Sequence, residues 1–302
     1  MSRDDGQYNN DGARVMPRPR STLFFQAEDI EVSTVLAVAE WLGARRAAWR
    51  VAFVRAGGSA QWAAIGDRGL AHTPLSTGLG PWRIELADAA RGAACRVEAV
   101  RSPTWRGQAL MSSLCVDFPA DVEPAELTAF MVWSAERLPV WWGTAGLAFQ
   151  RAPSWGFMID DDPLWVLAKR YWAVQVLDPV LLLRDARTGM PGIGWLSLVS
   201  AGFAITRELG LDALARRCAV MTATGVFHRL AADALVVAAG PRPILGDINL
   251  DEDLTAHACV ADLLAPLRTE SADSDAGPQH NKGRYTAWLA RYSEPTAWLD
   301  AH

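Results

Sequence analysis

Apolar and polar positions along the first half of the chain alternate in a way that names its elements in turn. Thr22 to Gln26 reads as a short strand. Val35, Val38, Ala39 and Leu42 then follow the spacing of one buried helix face, with Ser33 or Thr34 as cap and Glu28 and Asp29 near the positive end of the helix. Trp49–Val54 and Gln61–Ile65 read as strands around the turn Ala56–Ala60. Trp82–Leu86 and Arg96–Val100 alternate with period two, as half-buried strands do, and Ala109–Phe118 is a further strand. Glu123 and Pro124 open a helix that turns Leu127, Phe130, Met131 and Leu138 inward and ends at Pro139. Gly146–Gln150 returns as a strand.

Longer apolar runs mark the second half. Leu164–Trp172 predicts a helix, with Asp162 as its cap and Pro163 as its first residue. Gly192 and Gly194 open the next helix, in which Leu198, Ala201, Gly202, Ile205 and Leu209 share a face before Gly210 closes it. Strands follow at Cys218–Thr222, Val226–Leu230 and Ala234–Ala239. A last helix carries Leu254, His257, Ala258, Ala261 and Ala265 on one side, capped by Asp251 or Asp253 and stopped by Pro266. The order predicts an α+β fold, mostly antiparallel sheet with helices packed on one face. Residues 1–20 read as a flexible polar tail and 21–302 as one unit, with two similar subdomains, 21–155 and 156–302, as an option within it.

Several short stretches together carry a family likeness. They are Gly192-x-x-Trp195-Leu196-Ser197, Gly225-Val226, Gly240-Pro241-x-Pro243-x-Leu245-Gly246-Asp247-x-Asn249 and Ala265-Pro266-Leu267-Arg268. Upstream stand Gly143 to Phe149, Arg170-Tyr171-Trp172 and Asp178-Pro179; downstream stand Gly283-Arg284-Tyr285 and Trp288 to Tyr292. With these the chain resembles the type VI secretion immunity family, whose members protect bacteria against injected nuclease effectors, including VRR-Nuc-type toxins. The resemblance is specific over the second half and one of general layout over the first. It departs after Arg268, where Ser271–Gly277 is a polar, acidic run. It implies a protein that binds and neutralises a cognate type VI effector, a nuclease toxin, and that catalyses nothing itself. Gly194, Trp195, Gly240, Pro241, Gly246, Asp247 and Asn249 belong to these motifs, and a structural role is expected of them.

Composition narrows the partners. Net charge is −5 over 302 residues, and the cations are arginines scattered among acids, Lys169 and Lys282 apart. No basic cluster marks a nucleic-acid footprint. An acidic protein is instead drawn to a basic partner, and nucleases carry basic grooves for their substrate. Cys95, Cys115, Cys218 and Cys259 form no C-x-x-C pair, which fits core packing in a reducing compartment. No stretch of roughly 20 apolar residues could cross a bilayer, and the opening residues hold no signal-peptide core. The expectation is a cytoplasmic protein with no cofactor, no direct nucleic-acid contact and no membrane contact.

Candidate chemistry is sparse. The histidines show no H-E-x-x-H spacing, and neither a G-x-S-x-G elbow nor a Walker loop is present. Asp160, Asp161 and Asp162 exceed what one helix cap needs and are candidates for contact with a partner. Trp141, Trp142 and Trp155 flank glycine and proline, where loops reach the surface, and are candidate anchors. Asp247-x-Asn249-x-Asp251-x-Asp253 has the alternating oxygens of a calcium loop, but Glu252 stands where its glycine belongs and Ala258 where its last carboxylate belongs. A turn and helix cap is the plainer use. A metal-dependent hydrolase built on that loop is the alternative to an immunity protein, and a structural accessory of the secretion apparatus is a third reading.

Overall fold

A computed structural model of the chain describes residues 16–26, 28–56, 61–66, 69–70, 75, 80–102, 104–105, 108–149, 162–176, 179–269 and 282–300. In chain order the first half holds β1 (Pro17–Phe25), α1 (Val32–Arg45), β2 (Phe53–Ala56), β3 (Ala63–Ala64), β4 (Trp82–Ala87) and β5 (Arg96–Arg101). The small ribbon β6 (Thr104–Trp105) and β7 (Gln108–Ala109) follows, then β8 (Ser112–Asp117) and α2 (Pro124–Arg137). The second half holds β9 (Trp142–Phe149), α3 (Asp162–Arg170), β10 (Leu196–Ser200), α4 (Ala201–Ile205) and α5 (Leu211–Val220). It closes with β11 (Val226–Ala231), β12 (Ala234–Ala239), α6 (Thr255–Leu263), α7 (Lys282–Ala290) and α8 (Pro295–Asp300).

Ten of these strands form one antiparallel sheet in the order β11-β12-β10-β9-β1-β8-β5-β4-β2-β3. The first strand of the sequence is therefore the seam. It pairs with β8 from Arg20–Asp117 to Phe25–Ser112, and with β9 from Pro17–Phe149 to Phe24–Trp142. It starts inside the stretch expected to be tail. Pro17 and Pro19 are tolerated because the ladder to β8 begins only at Arg20, so their missing N–H groups break no bond there.

Alternate residues of the sheet enter two separate cores. On one face Leu23, Ile84, Leu86, Val97, Val116, Leu198 and Val236 meet Val35, Val38 and Leu42 of α1 and Leu127, Phe130 and Met131 of α2. On the other, Phe24, Trp142, Val199, Leu235 and Val237 meet Leu164, Phe203, Leu214, Val260 and Trp288, from α3, α4, α5, α6 and α7. An antiparallel α+β fold is what the pattern predicts. The helices nonetheless divide between both faces, because β10 and β12 are apolar on each side and take two covers.

The best-specified helix is α2. Glu123 and Glu126 form a reciprocal capping box around Pro124. The predicted helix from Gly192 to Leu209 is instead β10 followed by the short α4, whose cap Ser200 accepts the Phe203 N–H at 3.2 Å. Gly194 opens no helix: a Cβ there would lie 2.6 Å from the Ala145 carbonyl oxygen on β9. Gly210 has φ −96°, not a left-handed value, and precedes α5 as its cap. Cys218–Thr222, expected as a strand, is the last turn of α5 and the 3₁₀ turn after it. A strand buried on both sides is a continuous apolar run, which periodicity alone does not separate from a buried helix.

Candidate functional site

The motif residues of the second half converge on one junction. Arg170, at the end of α3, grips Asp247: Nε donates to both carboxylate oxygens at 3.0 and 3.1 Å, and Nη2 donates to Oδ2 at 2.7 Å. Asp247 is buried and also accepts the Asn249 N–H at 3.0 Å. The hydrogen bond from Arg170, with that N–H and the guanidinium charge behind it, outweighs burial and holds the Asp247 carboxyl below its ordinary value. Glu252 folds inward and accepts the N–H groups of Gly246 and Asp247 at 2.7 and 3.0 Å. Asp253 accepts the Thr255 N–H at 2.8 Å at the start of α6. Asp247, Glu252 and Asp253 thus satisfy the protein's own donors. Among the described residues no group of three or more His, Cys, Asp or Glu could hold a metal ion.

Glycine is required where backbones meet at this junction. Gly246 has φ +67°, and a Cβ would lie 2.7 Å from the Ala173 nitrogen. The closeness lets Trp172 and Ala173 donate to the carbonyls of Gly246 and Leu245 at 3.0 and 3.1 Å. Trp195 is buried and donates its indole N–H to the Gly240 carbonyl at 2.9 Å, while Pro241 and Asn249 face outward.

The chain's C-terminal region locks onto the same place. Arg291, 1% exposed, donates to the carbonyls of Trp172 and Trp288 at 3.0 and 2.9 Å and lies 3.8 Å from the Trp288 ring centroid. Tyr292 Oη donates to the Trp172 carbonyl at 3.0 Å. His257 stacks on Tyr292, and neither of its nitrogens has a hydrogen-bond partner among the described residues. Burial, with the Arg291 charge second, pushes its pKa down to about 4.

A different chemistry occupies β2, β4, β5 and β8 on the face away from α1. Arg55 Nη2 donates to both Glu85 oxygens at 2.7 and 2.6 Å, and Arg96 reaches Glu85 and Glu98. Arg83 bridges Glu98 at 2.7 Å and Glu85 at 3.3 Å, and Arg20 on β1 pairs with Asp117 at 2.6 Å. Burial would raise the Glu85 carboxyl, but the Arg55 hydrogen bond and the surrounding guanidinium charges bring it below its ordinary value. The visible signal in the sequence is charge at alternate positions, Arg83 with Glu85 and Arg96 with Glu98. At the seam this face passes into a cleft with Arg20, Thr22, Thr144 and Gln175 around an aromatic floor of Phe24 and Trp142.

The candidate anchors separate. Trp142 is 1% exposed, stacks on Phe24 at 4.2 Å between centroids and donates Nε1 to the Ala186 carbonyl at 2.8 Å. It is a core residue, because the strand alternation that begins there turns it inward. Trp141 is half-buried, 6.0 Å from the Phe203 ring, with its backbone carbonyl accepting from Ser200. Asp160, Asp161 and Trp155 lie outside the described residues. Asp162 begins α3, and its side chain lies outside them too.

Comparison with solved structures finds Pseudomonas aeruginosa T6SS protein PA0821, at a TM-score of 0.74 and 20% identity, covering 96% of this chain and 89% of that one. At that identity the likeness establishes the shared fold. No curated protein matches the chain significantly. The family model for TsiV, type VI immunity for VRR-NUC, matches residues 93–292, from the residues before β5 to Tyr292. The span takes in the whole Arg170–Asp247–Arg291 junction, and by it the chain belongs to the TsiV family of type VI immunity proteins.

Proposed function

We propose that this protein binds its cognate type VI effector, a VRR-NUC-type nuclease, and neutralises it by occluding the groove that would hold nucleic acid. The observation that carries the reading is the family match across residues 93–292. Acidic net charge supports it, since a groove shaped for phosphates attracts carboxylates in their place. In this reading the motif residues Gly194, Trp195, Gly240, Pro241, Gly246, Asp247 and Asn249 build the scaffold. Asp160, Asp161 and Asp162, with Trp141 and Trp155, contact the toxin. The two halves act as one unit from β1 onward, in the cytoplasm, and the protein changes no bond itself. No helix among the described residues is long and apolar enough to cross a membrane. A specific interface of roughly 1,600 Å² with a Kd of about 1 nM, on the order of −12 kcal/mol, is the expected scale.

Co-expression with the effector encoded beside it provides the test. Survival and a stable complex are expected; continued killing with no complex overturns the reading. Replacing Asp160, Asp161 and Asp162 together by alanine should weaken capture at least tenfold. Unchanged capture would reject the groove-mimic assignment while leaving immunity standing. The hydrolase alternative is addressed by calorimetric titration with Mg²⁺, Mn²⁺ and Ca²⁺, for which no binding heat is expected, since Asp247, Glu252 and Asp253 are engaged within the protein.

A further inference from the structure

The two ends of the sheet differ. At one end β3 is two residues long; at the other β11 is six, and no described strand pairs with its outer side. Long open edges are usually guarded by lysine, proline or a bulge. Val226-Phe227-His228-Arg229-Leu230-Ala231 has no lysine or proline and pairs in unbroken register with β12. Phe227 and Leu230 are 47% and 49% exposed, and Val220 on the neighbouring α5 is 80% exposed.

Backbone geometry says which groups of the edge are available. Gly240 N–H donates to Gly225 C=O, and a two-residue turn joins Ala231 to Ala234, so 225, 227, 229 and 231 are the positions bonded to β12. The N–H and C=O groups of Val226, His228 and Leu230 therefore point away from β12; Val226 is fully buried, so His228 and Leu230 are the accessible groups that another strand matches. We propose that this strand is a second copy of β11, joining two chains across a two-fold axis into one continuous antiparallel sheet.

Such an axis pairs residues of equal parity, and two registers keep five pairs. Centring on Arg229 sets Arg229 against its own copy, a directly opposed like-charge pair that destabilises a ladder. Centring on His228 sets Phe227 against Arg229 and Val226 against Leu230, with the two His228 residues exchanging backbone hydrogen bonds. The exposed Phe227 then gains a guanidinium neighbour, and only the His228 register avoids the repulsion. Charge also favours a copy over the toxin: exposed Glu208, Asp212 and Asp233 are balanced by Arg216, Arg217 and Arg229, unlike the acidic surface a nuclease groove would select. The inference is independent of the proposed function.

The full chain should run in light scattering at twice its 32.8 kDa mass at tens of micromolar. His228→Pro removes an outward N–H without touching the β12 ladder and should give a monomer whose thermal midpoint matches that of the wild type diluted below its dimerisation range. His228→Cys should cross-link copies on oxidation, since a hydrogen-bonded antiparallel pair lies within disulfide reach. A wild-type monomer overturns the proposal, and so does a dimer that survives His228→Pro. Cross-linking through Arg229→Cys but not His228→Cys overturns the register. If the chain is monomeric and His228→Pro abolishes effector capture, the strand on this edge belongs to the effector and the two-copy proposal is overturned.

Discussion

Strands β4 and β5 and strands β10 and β12 belong to one sheet but are stabilised by opposite means. The first pair buries apolar side chains against one helical layer and turns a lattice of arginines and glutamates to the other side. The second pair is apolar on both faces, with α2 below and α4, α5 and α6 above. A charge lattice is held by direction: each guanidinium must keep its carboxylate, and losing one strands the rest. A doubly clad strand is held by volume and is unforgiving of any atom added where backbones touch. The glycine-dependent contacts of the Arg170–Asp247–Arg291 junction gather in the doubly clad half, which shows where that fold has least room.

The contrast can be broken most severely at Gly246. Gly246→Val, at φ +67° and against the Ala173 backbone, should cost about 4 kcal/mol or more and remove most soluble protein, whereas Gly43→Ala, with open space around it, should stay within about 1 kcal/mol. Soluble yield and thermal melts compare them. Next in size, Trp142→Ala should destabilise by about 3–5 kcal/mol and Trp141→Ala by about 1–2 kcal/mol in urea titrations; equal losses would contradict the inward and half-buried placements. In the charged half, Glu85→Gln leaves Arg55, Arg83 and Arg96 around a neutral amide and should cost about 3 kcal/mol at neutral pH. Because the folded Glu85 pKa is lowered, its contribution is present above the ordinary carboxylate range and disappears as pH falls through the folded value. The acid limb of a stability–pH curve should accordingly be shallower in the variant.

The smallest effect is a pH window. His257 binds its proton at about 4 when folded and at 6.5 ordinarily, so between these values the unfolded chain takes up more protons. Stability should drop as pH falls from 7 to 5 by about 2 kcal/mol, and His257→Phe should flatten that segment. Urea midpoints at the two pH values decide it; an unaltered slope in the variant would place the titration elsewhere.

Where one face is wet or charged, the elements could be read from spacing. Arg83, Glu85, Arg96 and Glu98 alternate as strands should, and Val35, Val38 and Leu42 mark α1. Where both faces are dry the signal fails: Leu196 to Ser200 passed for the start of a helix. Helix α5 was missed for another reason: it is short, and Cys218, which with Leu214 and Ala215 forms its one buried face, was read as the start of a strand. The Asp247 turn was visible locally, but its grip by Arg170, 77 residues away in sequence, leaves no trace in spacing. Trp141 and Trp142 share a composition and a neighbourhood, and only the phase of β9 tells them apart.

Strand β1 has a consequence for how the molecule is made. It is synthesised before the strands that flank it, which begin at Ser112 and Trp142, so translation must pass through β9 before it is enclosed. Sheets zipped from such distant pairings assemble slowly. A bacterium that translates this protein together with its toxin would need the protector's message to begin earlier, or to be read more often, for protection to be in place in time.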